Sequence, residues 1–85
     1  MAQDKTMSGV GEPASNAEDV TPDDGSDLAT VSRALYIGMS GNLTVVMAGE
    51  QTVMFAGVPS GTFMPIRVKR VKASGTSASQ IINLY

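Results

Sequence analysis

Residues 33 to 85 contain no apolar stripe of helical period reaching about 10 residues. The apolar segments there are short and separated by Gly, Pro and Ser. Leu35, Tyr36 and Ile37 end at Gly38. Asn42 to Ala48 alternates, with Leu43, Val45 and Met47 on one face and Thr44, Val46 and Ala48 on the other. Gly49-Glu50 then predicts a two-residue type II′ hairpin connection, with Gly first. Thr52 to Ala56 places Val53 and Phe55 on one face. Pro59, Ser60 and Gly61 mark a turn. In Ile66 to Lys72 the alternation slips, because Arg70 takes the expected apolar slot and Val71 the polar one. A β-bulge near Lys69-Arg70 accounts for the slip. A Ser- and Thr-rich loop, Ser74 to Ser79, precedes a last strand, Gln80 to Tyr85.

Five strands at near-regular spacing predict an all-β fold, a small five-stranded antiparallel sandwich or barrel. The remaining segment, residues 1 to 31, is different in kind. Seven acids and one base lie in residues 1 to 32, for a net of −6, while residues 33 to 85 hold five bases and one acid, for a net of +4. The two sum to the whole-chain net charge of −2. Apolar residues are 10 of 32 in the first part and 26 of 53 in the second. Too little apolar surface is present in the first part to offset its ordering entropy alone. Residues 1 to 31 therefore read as an extended acidic N-terminal arm, ordered by lying on something else, and 32 to 85 as the β domain. A helix over Ser26 to Ala34, capped by Ser26, is the weaker alternative within the arm.

Some 53 residues must supply the core, and a domain of that size is marginal once chain entropy is counted. With no Cys there are no disulfides, and with no Cys or His the usual zinc ligands are missing. Association is the remaining stabiliser. The hairpin strands support it, since Val46, Ala48, Met54 and Ala56 lie opposite the Leu43, Val45, Val53 and Phe55 set. Strands apolar on both faces are usually covered on both faces. One cover would be a second sheet; the other is a neighbouring subunit or loops of the same chain.

The same composition removes most chemistry. Without His and Cys, nucleophilic and acid–base catalysis falls to carboxylate pairs or to Lys and Ser. The acids cluster in the arm, where rigid separation of two carboxyls is not expected. Asp23 to Asp27 lacks the spacing of a calcium loop: Gly25 comes third rather than sixth, and the twelfth position is Ala34. It reads as a solvated acidic turn. No catalytic residue, cofactor or metal site is expected. No uninterrupted apolar run exceeds the four residues Val45 to Ala48, against about 20 for a membrane span. Met1 to Thr6 carries Asp4 and Lys5 and no apolar core, so no signal peptide is expected.

Arg67-Val68-Lys69-Arg70-Val71-Lys72 is the most distinctive charged feature. A solvated, edge-protecting face is one reading. Pairing with acidic protein, including this chain's arm on a neighbouring subunit, is another. Nucleic acid is disfavoured by a sequence pI of about 4.7 and by four aromatic residues in all, Tyr36, Phe55, Phe63 and Tyr85.

Three blocks of sequence, taken in order, resemble a known family. They are Ser32-Arg33-Ala34-Leu35-Tyr36-Ile37-Gly38 with Gly41-Asn42-Leu43-Thr44-Val45 and Met47-Ala48; Val58-Pro59-Ser60-Gly61-Thr62 leading into Pro65-Ile66-Arg67-Val68-Lys69-Arg70-Val71; and Ala73 to Ala78 before Ile81-Ile82-Asn83-Leu84-Tyr85. Together they resemble the small head-spike base proteins of gene transfer agents and related tailed phages, over about residues 20 to 85. Ser60 and Phe63-Met64 depart from that pattern. The resemblance implies a virion structural protein without catalysis or cofactor, on the outer surface of the head, holding a spike or fibre. Its expected partners are further copies of itself as a trimer or pentamer, the major capsid protein, and the spike or fibre protein, with no nucleic acid and no membrane. Arg33, Arg67 and Arg70 fall in matching positions. The residues expected at protein interfaces are Arg33, Arg67, Lys69, Arg70, Val46, Met54 and Tyr85. A capsid cement, neck or tail component is the alternative within virions, and a carbohydrate-binding β module the alternative outside them.

Overall fold

The computed structural model describes residues 13 to 85. It is all-β, with no helix among the described residues. Seven strands among these residues form two antiparallel sheets: β1 (Ala17–Asp19), β2 (Ala34–Met39), β3 (Gly41–Met47), β4 (Thr52–Val58), β5 (Thr62–Met64), β6 (Val68–Val71) and β7 (Ser79–Leu84). One sheet has the order β1-β7-β2-β5 and the other β4-β3-β6. The sheets do not close on each other, so the sandwich expectation holds and the barrel does not.

The expected count of five strands is corrected to seven. Both missed strands are three residues long, too short to show a period. β1 lies in the acidic segment and is exposed at every position, so it carries no apolar signal. β5 follows the Pro59–Gly61 turn at once. The Ser26–Ala34 helix is not formed; that stretch is spent on backbone bonds to β6, described below.

Alternation sets the core. Leu35 and Ile37 of β2, Ile81 of β7, Leu43 and Val45 of β3, and Val68 and Val71 of β6 are all buried, and they form one cluster between the sheets. On β3, Leu43 pairs with Phe55 and Val45 with Val53, as the alternation predicts. The expected bulge is present. Val46 pairs with Arg70 but the next residue, Met47, pairs with Val68, so Lys69 is the extra residue. The bulge is what lets Val68 and Val71, three apart in sequence, both face the core.

The β3–β4 connection differs from the type II′ expectation. The positive φ falls on Glu50, at 78°, and not on Gly49. The Glu50 N–H donates to the Met47 carbonyl at 2.8 Å, and the Met47 N–H donates to the Gln51 carbonyl at 2.7 Å. This is a three-residue loop, a turn followed by one left-handed residue, and Glu50 occupies the place that Gly most often takes.

β2 does not stop at Gly38. It continues to Met39, paired with Ser79. Gly38 is required for a different reason, which is the close approach of β7. A Cβ there would lie 2.7 Å from the Gln80 Cβ and 2.8 Å from its carbonyl oxygen. Gln80 itself has a φ of 54°.

Candidate protein interface

The acidic segment, as far as it is described, lies on its own chain. β1 pairs with β7. The Val20 N–H then donates to the Ile81 carbonyl at 2.9 Å. From there the segment crosses to the other sheet and runs antiparallel along β6. Asp23, Leu28 and Ser32 N–H groups donate to the carbonyls of Val71, Lys69 and Val68 at 2.8, 2.7 and 3.1 Å. Val20 and Leu28 pack against the core as they pass. The strap thus satisfies the outer carbonyls of β6 and closes one flank of the sandwich. Residues 1 to 12 of the expected arm lie outside the described residues.

Three side-chain clasps fix the strap. Ser32 is fully buried. Its hydroxyl donates to the Ile66 carbonyl at 2.8 Å and accepts from the Val68 N–H at 2.9 Å. Asn83, also buried, donates from Nδ2 to the Thr30 carbonyl at 2.9 Å. Asp24 accepts from the Ser74 hydroxyl at 2.6 Å and the Ser74 N–H at 2.9 Å. Those two Ser74 bonds, with the nearby Lys72 charge, hold the Asp24 carboxyl below its ordinary range. Asp23 folds back on the acidic turn instead, accepting from the Gly25 N–H at 2.8 Å. Each of these two carboxyls thus has a hydrogen-bond role in the turn. Among the described residues no three His, Cys, Asp or Glu side chains are grouped to hold a metal ion.

The basic strand is divided by this arrangement. Arg70 is used within the chain: Nε donates to Asp27 Oδ1 at 2.8 Å, Nη2 pairs with the same oxygen at 2.8 Å, and Nη1 donates to the Asp24 carbonyl at 3.1 Å. Lys69 pairs with Glu50 at 2.6 Å. Arg67 is exposed, and its guanidinium has no ion pair or hydrogen bond among the described residues; only its carbonyl is bonded, accepting from Ala48 N–H at 2.9 Å. Arg33 is half-buried and its N–H donates to the Leu84 carbonyl at 2.8 Å. Tyr85 is half-buried, with its N–H on the Asn16 carbonyl at 2.9 Å.

The two apolar residues expected at an interface also separate. Val46 is 8% exposed and so is buried within this chain, across from Arg70. Met54, beside it on the outer face of the hairpin, is 54% exposed. The structure adds a second exposed apolar feature that alternation alone did not single out. Phe63 of β5 pairs with Tyr36 of β2, which pairs with Ile82 of β7. Phe63 is 60% and Tyr36 42% exposed. The signal was hidden because β5 was not read as a strand, so Phe63 had no assigned face.

No family model matches the sequence, and no curated protein matches it. Among solved structures, a chain in the capsid of a native gene transfer agent particle, computed with C5 symmetry, has the same fold, with a TM-score of 0.79 and 34% sequence identity. The match covers 87% of this chain and 86% of that one. The likeness therefore spans both sheets rather than one hairpin. At that identity over nearly the full length of both, the present chain belongs to the family of that gene transfer agent capsid chain and is a virion structural protein.

Proposed function

We propose that this chain is an oligomeric base that sits on the outer surface of the head and anchors a spike or fibre there. The observation that carries the reading is the 34% identity with a chain of a gene transfer agent capsid over nearly its whole length. The ordered motif blocks at residues 32 to 48, 58 to 71 and 73 to 85 support the finer assignment to the head-spike base type. Its partners in this reading are other copies of the chain, as a trimer or pentamer, the major capsid protein and the spike or fibre protein. The role is mechanical. Arg67 and Arg33, with the exposed Met54 and the Tyr85 end of the chain, are the side chains proposed to meet those partners. Lys69 and Arg70 act through the strap and the hairpin turn that they hold.

Deleting the coding sequence and imaging the particles tests this reading. Heads should still form and should lack spikes or fibres. Quantitative mass spectrometry of wild-type particles should give a few copies per decorated site. Hundreds of copies per head would instead identify a capsid cement, and particles with intact spikes after the deletion would overturn the reading.

A further inference from the structure

The sandwich has two flanks, and they are treated differently. On one flank the strap leaves β1 and runs along β6, covering the outer carbonyls of β6. The exposed edge of β1 carries Glu18 and Asp19 among its three residues, so two such edges would repel. On the other flank lie β4 and β5, the opposite end strands of the two sheets, joined by only three residues. Among the described residues β4 pairs on one side only, with β3. It is seven residues long and contains no charged residue and no proline. β5 is likewise uncharged.

Unpaired edges of this kind are usually blunted by charge, proline or a covering segment. On β4 the only such device is a register irregularity toward its far end, opposite Gly41 and Leu43. The core is also incomplete here. Val53 pairs with the fully buried Val45 and faces the sandwich interior, yet it is 36% exposed. A partner at this flank must supply both a backbone ladder and an uncharged side-chain set, because a charged strand would lose water and find no counter-charge. A second copy of β4 or β5 supplies both.

We infer that the open flank docks an edge strand of a second copy of this chain, joining the sheets of the two copies through backbone hydrogen bonds along β4. The inference rests on the self-association in the function proposed above. It specifies the surface: β4 carries the backbone pairing, Met54 flanks it on the outside, and Val53 and Phe55 close the core beneath it.

The test uses the full chain. Molar mass by light scattering, across a protein dilution series, should show assembly. Met54→Lys should raise the dissociation constant at least about tenfold, because an edge lysine blocks pairing. Ser26→Lys, a change at an exposed position on the strapped flank, should leave it unchanged. In the wild-type chain, hydrogen exchange at β4 amides should slow as concentration rises, a readout that stands even where Met54→Lys fails to fold. A dimer would put β4 against β4, and a ring would put β4 against β5; either upholds the inference. A wild-type monomer at all concentrations, with β4 amides protected only when particles are added, would overturn it in favour of a strand from another virion protein. So would a folded Met54→Lys variant that assembles normally. In either case spike occupancy on particles, read separately, decides whether the proposed function survives.

Discussion

Ser32→Ala is the sharpest test of the strap. The hydroxyl makes two hydrogen bonds from a fully buried position, donating to Ile66 and accepting from Val68. Val68 is itself fully buried at the start of β6. Removing the oxygen leaves the Val68 N–H without that partner, at a cost of about 1–3 kcal/mol. The bond to Ile66 adds about 0.5–1.5 kcal/mol, the net value of an ordinary hydrogen bond, since Ile66 is half-buried and its carbonyl can turn to water. The two together are worth about 1.5–4.5 kcal/mol, with little lost packing because Ser and Ala differ by one atom. A chain of 85 residues has a stability of roughly 4–13 kcal/mol, so the loss is a large fraction of the whole. It should lower Tm by about 6–36 °C, at about 4–8 °C per kcal/mol for a domain of this size. Urea unfolding at fixed low protein concentration, followed by far-ultraviolet circular dichroism, measures it. Exchange at the Val68 amide should rise more than at Val45, which is equally buried but outside the clasp. A loss below about 0.5 kcal/mol, the ordinary size of a surface substitution, would mean that the clasp does not hold the strap. Faster exchange spread evenly over the core would place the effect elsewhere.

Three further predictions follow from the geometry. Gly38→Ala would bring a methyl to 2.7 Å from the Gln80 Cβ and 2.8 Å from its carbonyl oxygen, and overpacking of this kind costs about 1–3 kcal/mol; a neutral result in urea unfolding would mean that β7 moves away freely. Asp27→Asn should cost only about 0–1 kcal/mol, because the pair with Arg70 is partly open to solvent, and its effect should shrink as salt is raised. The Asp24 carboxyl is held below its ordinary range by Ser74. Its contribution to stability is therefore full above the ordinary carboxylate range and is lost as pH falls through the lowered folded value. Urea midpoints measured from neutral to strongly acidic pH should show a shallower acid limb in Asp24→Asn than in wild type. An identical limb would remove Asp24 from the linkage.

Much of the frame is local and so could be read residue by residue. The period-2 pattern placed Leu43, Val45 and Met47 on one face of β3 and Thr44, Val46 and Ala48 on the other, because side chains in a strand alternate by geometry alone. The slip at Arg70-Val71 disclosed a bulge, since one extra residue is the simplest way to turn both Val68 and Val71 inward. The motif blocks pointed to a virion protein on order and spacing. Two short strands escaped for the reason that three residues carry no measurable period. The II′ expectation failed because it assigned the positive φ to Gly49, while the loop length chosen by the bonds of Met47 to Glu50 and Gln51 moved it to Glu50.

What composition settled without any fold is the exclusion of thiol, disulfide and histidine chemistry, together with the polarity between an acidic start and a basic remainder. What only the tertiary structure decided is where those charges go. Attraction between Asp27 and Arg70 is implicit in the charge split, but it does not say whether the partner belongs to the same chain or another. That choice was made by backbone groups: the N–H groups of Asp23, Leu28 and Ser32 find the free carbonyls of β6 in the same molecule, and the side-chain pair follows. Among the described residues the opposite flank has no such cover. Hydrogen bonding of a strand edge is a property of which strands end up side by side, so neither the closed edge at β6 nor the open one at β4 can be seen until the sheets are formed.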